Sequence, residues 1–209
     1  MKVEVHLHTS RYSACAIVNP RQVMWKLFEV GYDVVFITEH DAVWPDRELA
    51  ELRHAFPRLR VFPGIEISVG ADLSEHLLVL GTNDPAYLSL PTPAEIIERA
   101  RGEGLLTVLA HPFRWTRSPD VLAGAVLPDA IEYLTPNHGS EPAELSEAAA
   151  RSLGLALVNA GDVHALQSID RFWIDTDRPV ERPGDLREIV LERAYVNRGG
   201  VGLHSTRSW

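Results

Sequence analysis

The sequence predicts an α/β fold in which a mainly parallel sheet closes into a barrel within a single domain. Three observations support this prediction. Short apolar, β-branched runs alternate with amphipathic stretches from one end of the chain to the other. About seven strand-to-helix units follow one another, which suits a closed or distorted barrel better than an open sheet. The 209 residues, of which 45% are hydrophobic, can bury one large core without a second domain.

The predicted strands are short runs rich in branched aliphatic side chains. They occupy residues 3–7, 34–38, 60–67, 76–81, 105–110, 130–134, 155–159, 172–175 and 194–196. The predicted helices are the amphipathic stretches at residues 20–30, 45–55, 92–101, 141–153 and 183–192. Thr92 and Glu95 form a capping-box pattern at the start of one helix. Residues 198–209 have little pattern, and we expect them to be a tail over one end of a single domain that spans residues 1–209.

Composition and charge exclude several classes of function. The formal net charge of −9 is spread along the chain and leaves no basic stripe, so a nucleic-acid surface is not expected. No apolar run approaches the roughly 18 residues of a membrane span. Cys15 is the single cysteine, which excludes an internal disulfide, and the first residues have no signal-peptide pattern. We therefore expect a cytoplasmic protein.

Histidines mark the ends of the predicted strands. Six of the nine histidines lie at the edge of an apolar run, namely His6, His8, His40, His76, His111 and His164. His8, His40, His111 and His164 each follow a strand. Because the carboxyl ends of parallel barrel strands open on one face, these side chains are expected to meet there. His76 instead opens its strand, which leaves its direction open. A structural histidine is the usual explanation for any one of them, but the joint pattern predicts a metal site.

Two residue pairs and one glutamate strengthen this prediction. His6 and His8 are two positions apart in a strand, so their imidazoles point to the same side, and Asp162 and His164 repeat this spacing. Glu66 lies inside an apolar strand, where an acidic side chain is costly to bury unless it is paired or binds a metal. The alternative for Glu66 is an edge-strand glutamate in water.

At these positions the chain resembles the PHP family, named for polymerase and histidinol phosphatase. The motifs appear in family order from His6 to His164, and together they are much more specific than any one alone. They are His6-Leu7-His8-Thr9, Thr38-Glu39-His40-Asp41, Gly64-Ile65-Glu66, His76 before an apolar strand, Ala110-His111-Pro112 and Gly161-Asp162-Val163-His164.

The resemblance implies a distorted, TIM-like (β/α)7 barrel with two or three divalent metal ions at the carboxyl ends of its strands. The implied ligands of the first metal are His6, His8, Glu66 and Asp162. Glu66 would bridge to a second metal held also by His76 and His111, and His40 and His164 would belong to a third.

The chain departs from the family in the loop after the first motif, where an aspartate or a histidine is usual. This loop, residues 9–15, offers only Cys15 as a good metal ligand. The third metal is therefore weakly held, absent, or completed by the Cys15 thiolate. The alternative for Cys15 is a small, buried hydrophobic residue.

The chemistry predicted for this site is hydrolysis of a small phosphomonoester or phosphodiester by a metal-activated hydroxide. Mixed imidazole and carboxylate ligands suit Zn²⁺, Mn²⁺ or Fe²⁺. The predicted catalytic residues are His40, His164 and Asp162, and either histidine, where no metal holds it, would protonate the leaving group. Arg11 and Arg114 are predicted to bind the substrate phosphate, because an arginine fork matches phosphate oxygens. Asn137 and His138 follow a predicted strand, on a loop where a contact with the rim is plausible, although a solvated loop is the favoured interpretation for His138. His54 and His204 are interpreted as surface residues.

Two other functions stay open. One is an amidohydrolase-like enzyme that cleaves amides or lactones. Dinuclear members of that class commonly bridge their metals with a carboxylated lysine in mid-barrel, a position that neither Lys2 nor Lys26 can occupy, although some mononuclear members need no lysine. The other is a metal-binding PHP-like accessory domain without catalysis, an interpretation that the nearly complete set of motif residues disfavours.

Overall fold

The computed structural model describes residues 1–199 and 206–207. The strands in this part of the chain are β1 (Lys2–Glu4), β2 (Val34–His40), β3 (Arg60–Val69), β4 (Glu75–Leu80), β5 (Leu106–Ala110), β6 (Ala130–Glu132), β7 (Ala156–Val158), β8 (Phe172–Thr176), β9 (Tyr195–Gly199) and β10 (Thr206–Arg207). The α-helices are α1 (Pro20–Glu29), α2 (Asp46–Ala55), α3 (Pro93–Gly102), α4 (Asp120–Ala123), α5 (Ser140–Leu153) and α6 (Pro183–Leu191). Two 3₁₀ turns cover Pro85–Ser89 and Leu166–Ser168.

The strands form one mixed sheet that curls into a nearly closed barrel. Their order is β10–β9–β8–β1–β2–β3–β4–β5–β6–β7. The first and last barrel segments meet through a parallel bridge between Leu7 and Val163, where the His8 backbone N–H donates to the Val163 carbonyl at 2.9 Å. The prediction of a distorted α/β barrel in one domain is therefore confirmed.

The mainly parallel sheet that the sequence predicts is only partly correct. β1, β2 and β3 are parallel to one another, as are β5, β6 and β7. β4 is antiparallel to both β3 and β5, and β8 and β9 add further antiparallel pairs beside β1. Only residues 70–74 join β3 to β4, which is long enough for a hairpin but too short for the crossover that a parallel pair requires.

Most predicted elements are present with shifted ends. The first strand is shorter than predicted, although Leu7 stays attached through its bridge. Thr92 caps α3 as predicted, because its hydroxyl accepts a hydrogen bond from the Glu95 backbone N–H at 3.3 Å. The short helix α4 and the two 3₁₀ turns were not predicted. Two parts of the predicted tail are strand: residues 198–199 belong to β9, and β10 pairs with β9. The rest of the tail, with His204, lies outside the described residues.

Apolar side chains fill the barrel beneath the polar end that carries the predicted ligands. The buried inner cluster includes Val3, Val5, Val34, Phe36, Leu78, Leu80, Leu106 and Val108. Burial of each such side chain contributes about 1.5–3 kcal/mol to the stability of the folded chain. The packed barrel therefore supports the side chains at its rim. No helix in the described residues is both long and apolar enough to cross a membrane.

Candidate metal centre

The eight predicted metal ligands meet at one end of the barrel. His40 is the last residue of β2, Glu66 lies in β3, and His111 follows β5 directly. The open question about His76 is resolved by strand direction. Because β4 runs antiparallel, its beginning lies beside the end of β5, and His76 pairs in register with Ala110. A ligand at the start of this strand thus reaches the same rim as ligands at the ends of the others.

Glu66 is at the centre of the cluster and is fully buried. Its Oε1 lies 2.9 Å from His76 Nδ1 and 3.2 Å from His111 Nε2. Its Oε2 lies 3.1 Å from His6 Nε2, 3.0 Å from His8 Nε2 and 3.1 Å from His40 Nδ1. One carboxylate therefore faces two separate sets of imidazoles, which is the arrangement expected of a bridging ligand.

His6 and His8 both turn their Nε2 atoms toward the same point. These two nitrogens are 2.9 Å apart, and each lies 3.5 Å from Asp162 Oδ1. The other ring nitrogen of His6 lies 2.6 Å from Glu132 Oε1, and the other ring nitrogen of His8 lies 3.3 Å from Ser13 Oγ. A carboxylate accepts hydrogen bonds, so His6 carries a proton on Nδ1, which leaves Nε2 as the ring atom that can bind a metal.

Ser13 fixes the position of the proton on the His8 ring, as Glu132 does for His6. The Ser13 hydroxyl donates to Glu39 Oε2 at 2.5 Å, so its oxygen can only accept from other groups. The backbone N–H of His40 donates to that oxygen at 3.1 Å, and His8 Nδ1–H is the second donor. Supporting contacts of this kind fix the tautomer of metal-binding histidines.

Two buried oxygens in the cluster show that the residues fit a divalent cation. Glu66 Oε2 and Asp162 Oδ1 are buried and have no hydrogen-bond donor among the described residues. Both face Nε2 of His6 and Nε2 of His8, so two carboxylate oxygens and two imidazole nitrogens converge on one point. Buried acceptors in this arrangement need a cation to offset their desolvation. Three groups of ligand atoms are close enough to hold one: His6, His8 and Glu66; His40, Glu66 and His76; and His8, His40 and His164.

The charges of the cluster shift its pKa values in the directions that this geometry requires. Burial alone would raise the pKa of Glu66, but the imidazoles of His6 and His8 outweigh burial and hold the pKa well below its usual range. The pKa of Asp162 is lowered by the same two residues against the effect of burial. Burial alone would lower the pKa of His6, but Glu66, Glu132 and Asp162 hold that pKa well above its usual range. Without metal, protonated imidazoles balance the charge of the ionised carboxylates, so metal binding has to displace protons from the histidines.

Three residues at the rim that carries the metal centre have left-handed backbone. Asp41, His111 and Asp162 have φ values of 45°, 29° and 38°. For residues with a Cβ this conformation costs on the order of 1–2 kcal/mol each, and such outliers concentrate at functional sites. Gly161 precedes one of them for a steric reason, since a Cβ at this position would lie 2.4 Å from Glu4 Oε2. The backbone is thus bent at the points that aim the ligands inward.

The third group of ligand atoms contains only imidazoles. Burial lowers the pKa of His40 to about 4 and also lowers the pKa of His164. Both rings are therefore neutral near pH 7, which is the form that binds a metal. The predicted role of either residue as a proton donor gains no support from these pKa directions.

Cys15 is exposed and belongs to none of these groups within the described residues. This position contradicts its interpretation as a buried hydrophobic residue, and it does not support the predicted thiolate ligand. Because Cys15 is neither in a ligand group of the described residues nor hydrogen-bonded to one, Cys15→Ser is expected to leave the metal content and the affinity for Zn²⁺ or Mn²⁺ unchanged within about twofold. Loss of a residue that supports a ligand would instead weaken metal affinity by about 10–100-fold. Elemental analysis and metal titration of the variant test this. Loss of one metal equivalent would show that the thiolate is a ligand.

The two predicted phosphate-binding arginines differ in position. Arg114 Nη1 lies 3.8 Å from Asp162 Oδ2, and its guanidinium stacks 4.6 Å from the centre of the Trp115 ring. Arg11 is exposed and points elsewhere, since its Nε and Nη2 donate to both carboxylate oxygens of Glu48 at 2.9 and 2.7 Å. The structure therefore brings Arg114 to the cluster and holds Arg11 on the surface.

The interpretation of His138 as a surface residue is not supported. His138 is half-buried, and its Nδ1–H donates to the Tyr133 carbonyl at 3.2 Å. Its neighbour Asn137 donates to Asp162 Oδ2 at 2.7 Å, which leaves the other oxygen of Asp162 to face the cluster. The turn that carries these two residues thus supports the metal centre. His54, on α2, is exposed as predicted.

Several supporting residues were missed by sequence reasoning. Glu132, like Glu66, is an acidic residue inside an apolar run, so the same pattern could have predicted that it belongs to the site. Glu39 stands within a quoted motif and accepts hydrogen bonds from Thr9 and Trp44 as well as from Ser13. Ser13 has no distinguishing signal, because a polar residue in a loop is common.

The sequence matches no family model and no curated protein sequence. Solved structures do match. A two-domain protein from Bacteroides vulgatus, which contains a predicted PHP-like metal-dependent phosphoesterase, has a TM-score of 0.73 at 15% identity, over 96% of this chain and 65% of its own. The chain has a PHP-like fold. It spans slightly less than two thirds of that two-domain neighbour.

Two further solved structures have folds similar to that of this chain. A candidate metal-dependent phosphoesterase from Bifidobacterium adolescentis has a TM-score of 0.62 at 17% identity, over 96% of this chain and 97% of its own. An amidohydrolase from Chromobacterium violaceum, with bound sulfate and no metal, has a TM-score of 0.65 at 16% identity, over 93% of this chain and 97% of its own. At these identities the likeness establishes the fold.

Proposed function

We propose that this protein is a metal-dependent phosphoesterase that hydrolyses a small phosphomonoester or phosphodiester. The observation that carries the proposal is the convergence of buried ligand atoms from His6, His8, Glu66 and Asp162 on one point, where one oxygen of each carboxylate has no hydrogen-bond partner among the described residues. The names of the neighbours from Bacteroides vulgatus and Bifidobacterium adolescentis support the same reaction class.

The residues divide the work of such a reaction between them. Divalent metals held by the cluster would activate water and neutralise charge on the phosphoryl group. Glu66 bridges the two sets of imidazoles, and Asp162 completes the first set. Arg114 lies at the edge of the cluster with part of its guanidinium exposed, where it can bind a phosphate oxygen. The neutral rings of His40 and His164 lie on the solvent side of the cluster and are proposed as ligands of a third metal.

The amidohydrolase alternative is disfavoured by the position of the lysines. Lys2 Nζ donates to the Val30 carbonyl and pairs with Asp170, and Lys26 pairs with Glu29 on α1. Neither lysine is in mid-barrel, where Glu66 occupies the central position. The alternative of an accessory domain is disfavoured because all eight predicted ligands meet. The proposed partner is a small phosphate ester rather than a nucleic acid, given the net charge of −9.

The experiment is a hydrolysis panel with Mn²⁺- and Zn²⁺-loaded protein on phosphomonoesters, phosphodiesters, amides and lactones. Arg114→Ala is expected to raise KM for phosphate esters about 10-fold or more, because it removes a charge-assisted hydrogen bond. Arg117→Ala is the matched control, since Arg117 lies on the same loop but pairs with the exposed Glu141. Turnover of amides or lactones alone would favour the amidohydrolase, and no turnover at all would favour the accessory domain.

A further inference from the structure

Glu132 contacts two different parts of the metal centre with its two carboxylate oxygens. It is the last residue of β6 and is fully buried. Its Oε1 lies 2.6 Å from His6 Nδ1, and its Oε2 accepts from the His111 backbone N–H at 2.8 Å. His6 faces Oε2 of Glu66, whereas His111 faces Oε1 of Glu66. A single side chain therefore joins the two sets of imidazoles from behind.

Both partners of Glu132 are hydrogen-bond donors. A backbone N–H can only donate, and His6 Nδ1 must carry a proton for its Nε2 to bind a metal through its lone pair. A side chain between two donors needs two acceptor atoms and no hydrogen of its own. A carboxylate meets this requirement, whereas the amide of the same size has one acceptor and one donor.

The contact with His111 also acts on the backbone. β5 ends at Ala110, and the chain then turns through the left-handed φ of 29° at His111. That turn brings His111 Nε2 to 3.2 Å from Glu66 Oε1. The hydrogen bond from the His111 N–H to Glu132 holds the residue at the turn, so the aim of the imidazole depends on Glu132.

We propose that Glu132 is a positioning residue that sets the orientation of His6 and His111 together and so couples the two halves of the metal centre. This inference rests on the proposed metal site. It concerns a residue that contacts none of the atoms proposed to bind metal. Its consequence is that one substitution behind the site weakens metal binding by both sets of imidazoles.

The test uses Glu132→Gln, which keeps the size of the side chain. The amide can satisfy His6 Nδ1–H or the His111 N–H, but not both, so the dissociation constant for Zn²⁺ or Mn²⁺ is expected to rise about 10–100-fold. In the metal-free protein, NMR is expected to show loss of either the downfield ring proton of His6 or the slow hydrogen exchange of the His111 amide. Glu132→Asp, which keeps both acceptors on a shorter stem, is expected to recover part of the affinity.

The matched control is Asp129→Asn. Asp129 is buried just before β6, where it accepts from the Thr107 backbone N–H at 3.2 Å and pairs with Arg187 at 3.0 Å. This variant is expected to lower the melting temperature without a change in metal affinity, so it separates loss of stability from loss of positioning. Metal affinity of Glu132→Gln within threefold of wild type, with both NMR signals intact, would overturn the proposal. Because the NMR readout needs no metal, it still tests Glu132 if the wild-type protein binds none.

Discussion

Glu66→Gln is expected to abolish high-affinity metal binding while leaving the barrel folded. Five imidazole nitrogens lie within 3.2 Å of the Glu66 carboxylate. The amide removes the negative charge from this buried point and replaces one acceptor by a donor. Loss of a supporting partner typically costs about 10–100-fold in metal affinity, so loss of the central ligand is expected to exceed 100-fold.

Competition titration with a chromogenic chelator and elemental analysis of the purified variant measure this effect. Far-ultraviolet circular dichroism reports whether the variant is folded, and Asp129→Asn again serves as a buried-carboxylate control. Stoichiometric metal retained by Glu66→Gln would show that Glu66 is not the bridge. The ligands would then have to be reassigned around Asp162.

The second large effect is expected at Glu4, which is buried beneath the cluster. Its Oε1 accepts from the backbone N–H groups of Val5, His6 and Gly161 at 3.1, 3.1 and 2.8 Å, and its Oε2 has no partner in the described residues. Burial raises the pKa of Glu4 to about 8. The folded chain therefore keeps a proton between about pH 4.5 and 8 that the unfolded chain releases.

The sign of the pH dependence follows from this difference in bound protons. Because the folded state binds the extra proton, the free energy of unfolding falls as pH rises through this interval, by at most about 1.4 kcal/mol per pH unit. Over the whole interval the loss is on the order of a few kcal/mol. Glu4→Gln has no proton to release, so its stability relative to wild type is expected to increase from pH 5 to pH 8.

Urea unfolding of the chelator-treated proteins at pH 5, 6.5 and 8 measures the difference. Other titrating groups are common to both proteins and cancel in it. Glu51→Gln, on the exposed face of α2, is the control and should differ from wild type by the same small amount at every pH. A constant difference for Glu4→Gln would mean that Glu4 ionises as readily in the folded chain as in the unfolded chain.

The parts of the site that could be predicted are those whose spacing is fixed by strand geometry. The pair His6 and His8 follows from the alternation of side chains along an extended segment. The same spacing predicted the pair Asp162 and His164, although the backbone at Asp162 is left-handed rather than extended. The acid Glu66 stands out because it interrupts an apolar strand. The direction of β4 could not be predicted, since an apolar run reads the same in a parallel or an antiparallel strand.

The supporting residues were harder to predict because they depend on contacts between distant segments. Ser13 serves His8 only because the loop folds back over Glu39, and neither residue is marked by local pattern. Arg11 and Arg114 looked equivalent in sequence, since each follows a histidine of the site by three residues. A competing carboxylate, Glu48, lies close to Arg11 in the folded chain, and only the tertiary structure reveals it.

The antiparallel β4 has a consequence for the order in which the centre assembles during folding. Glu66 and His76 are ten residues apart and are joined by a hairpin, whereas Glu132 is 126 residues from His6 and Gly161 is 157 residues from Glu4. Local hairpins close much sooner than contacts between chain ends, because less chain entropy is lost when they form. We therefore expect the Glu66–His76 half of the centre to be organised early, and the half that contains His6 and Asp162 to form only when the segments of Leu7 and Val163 meet.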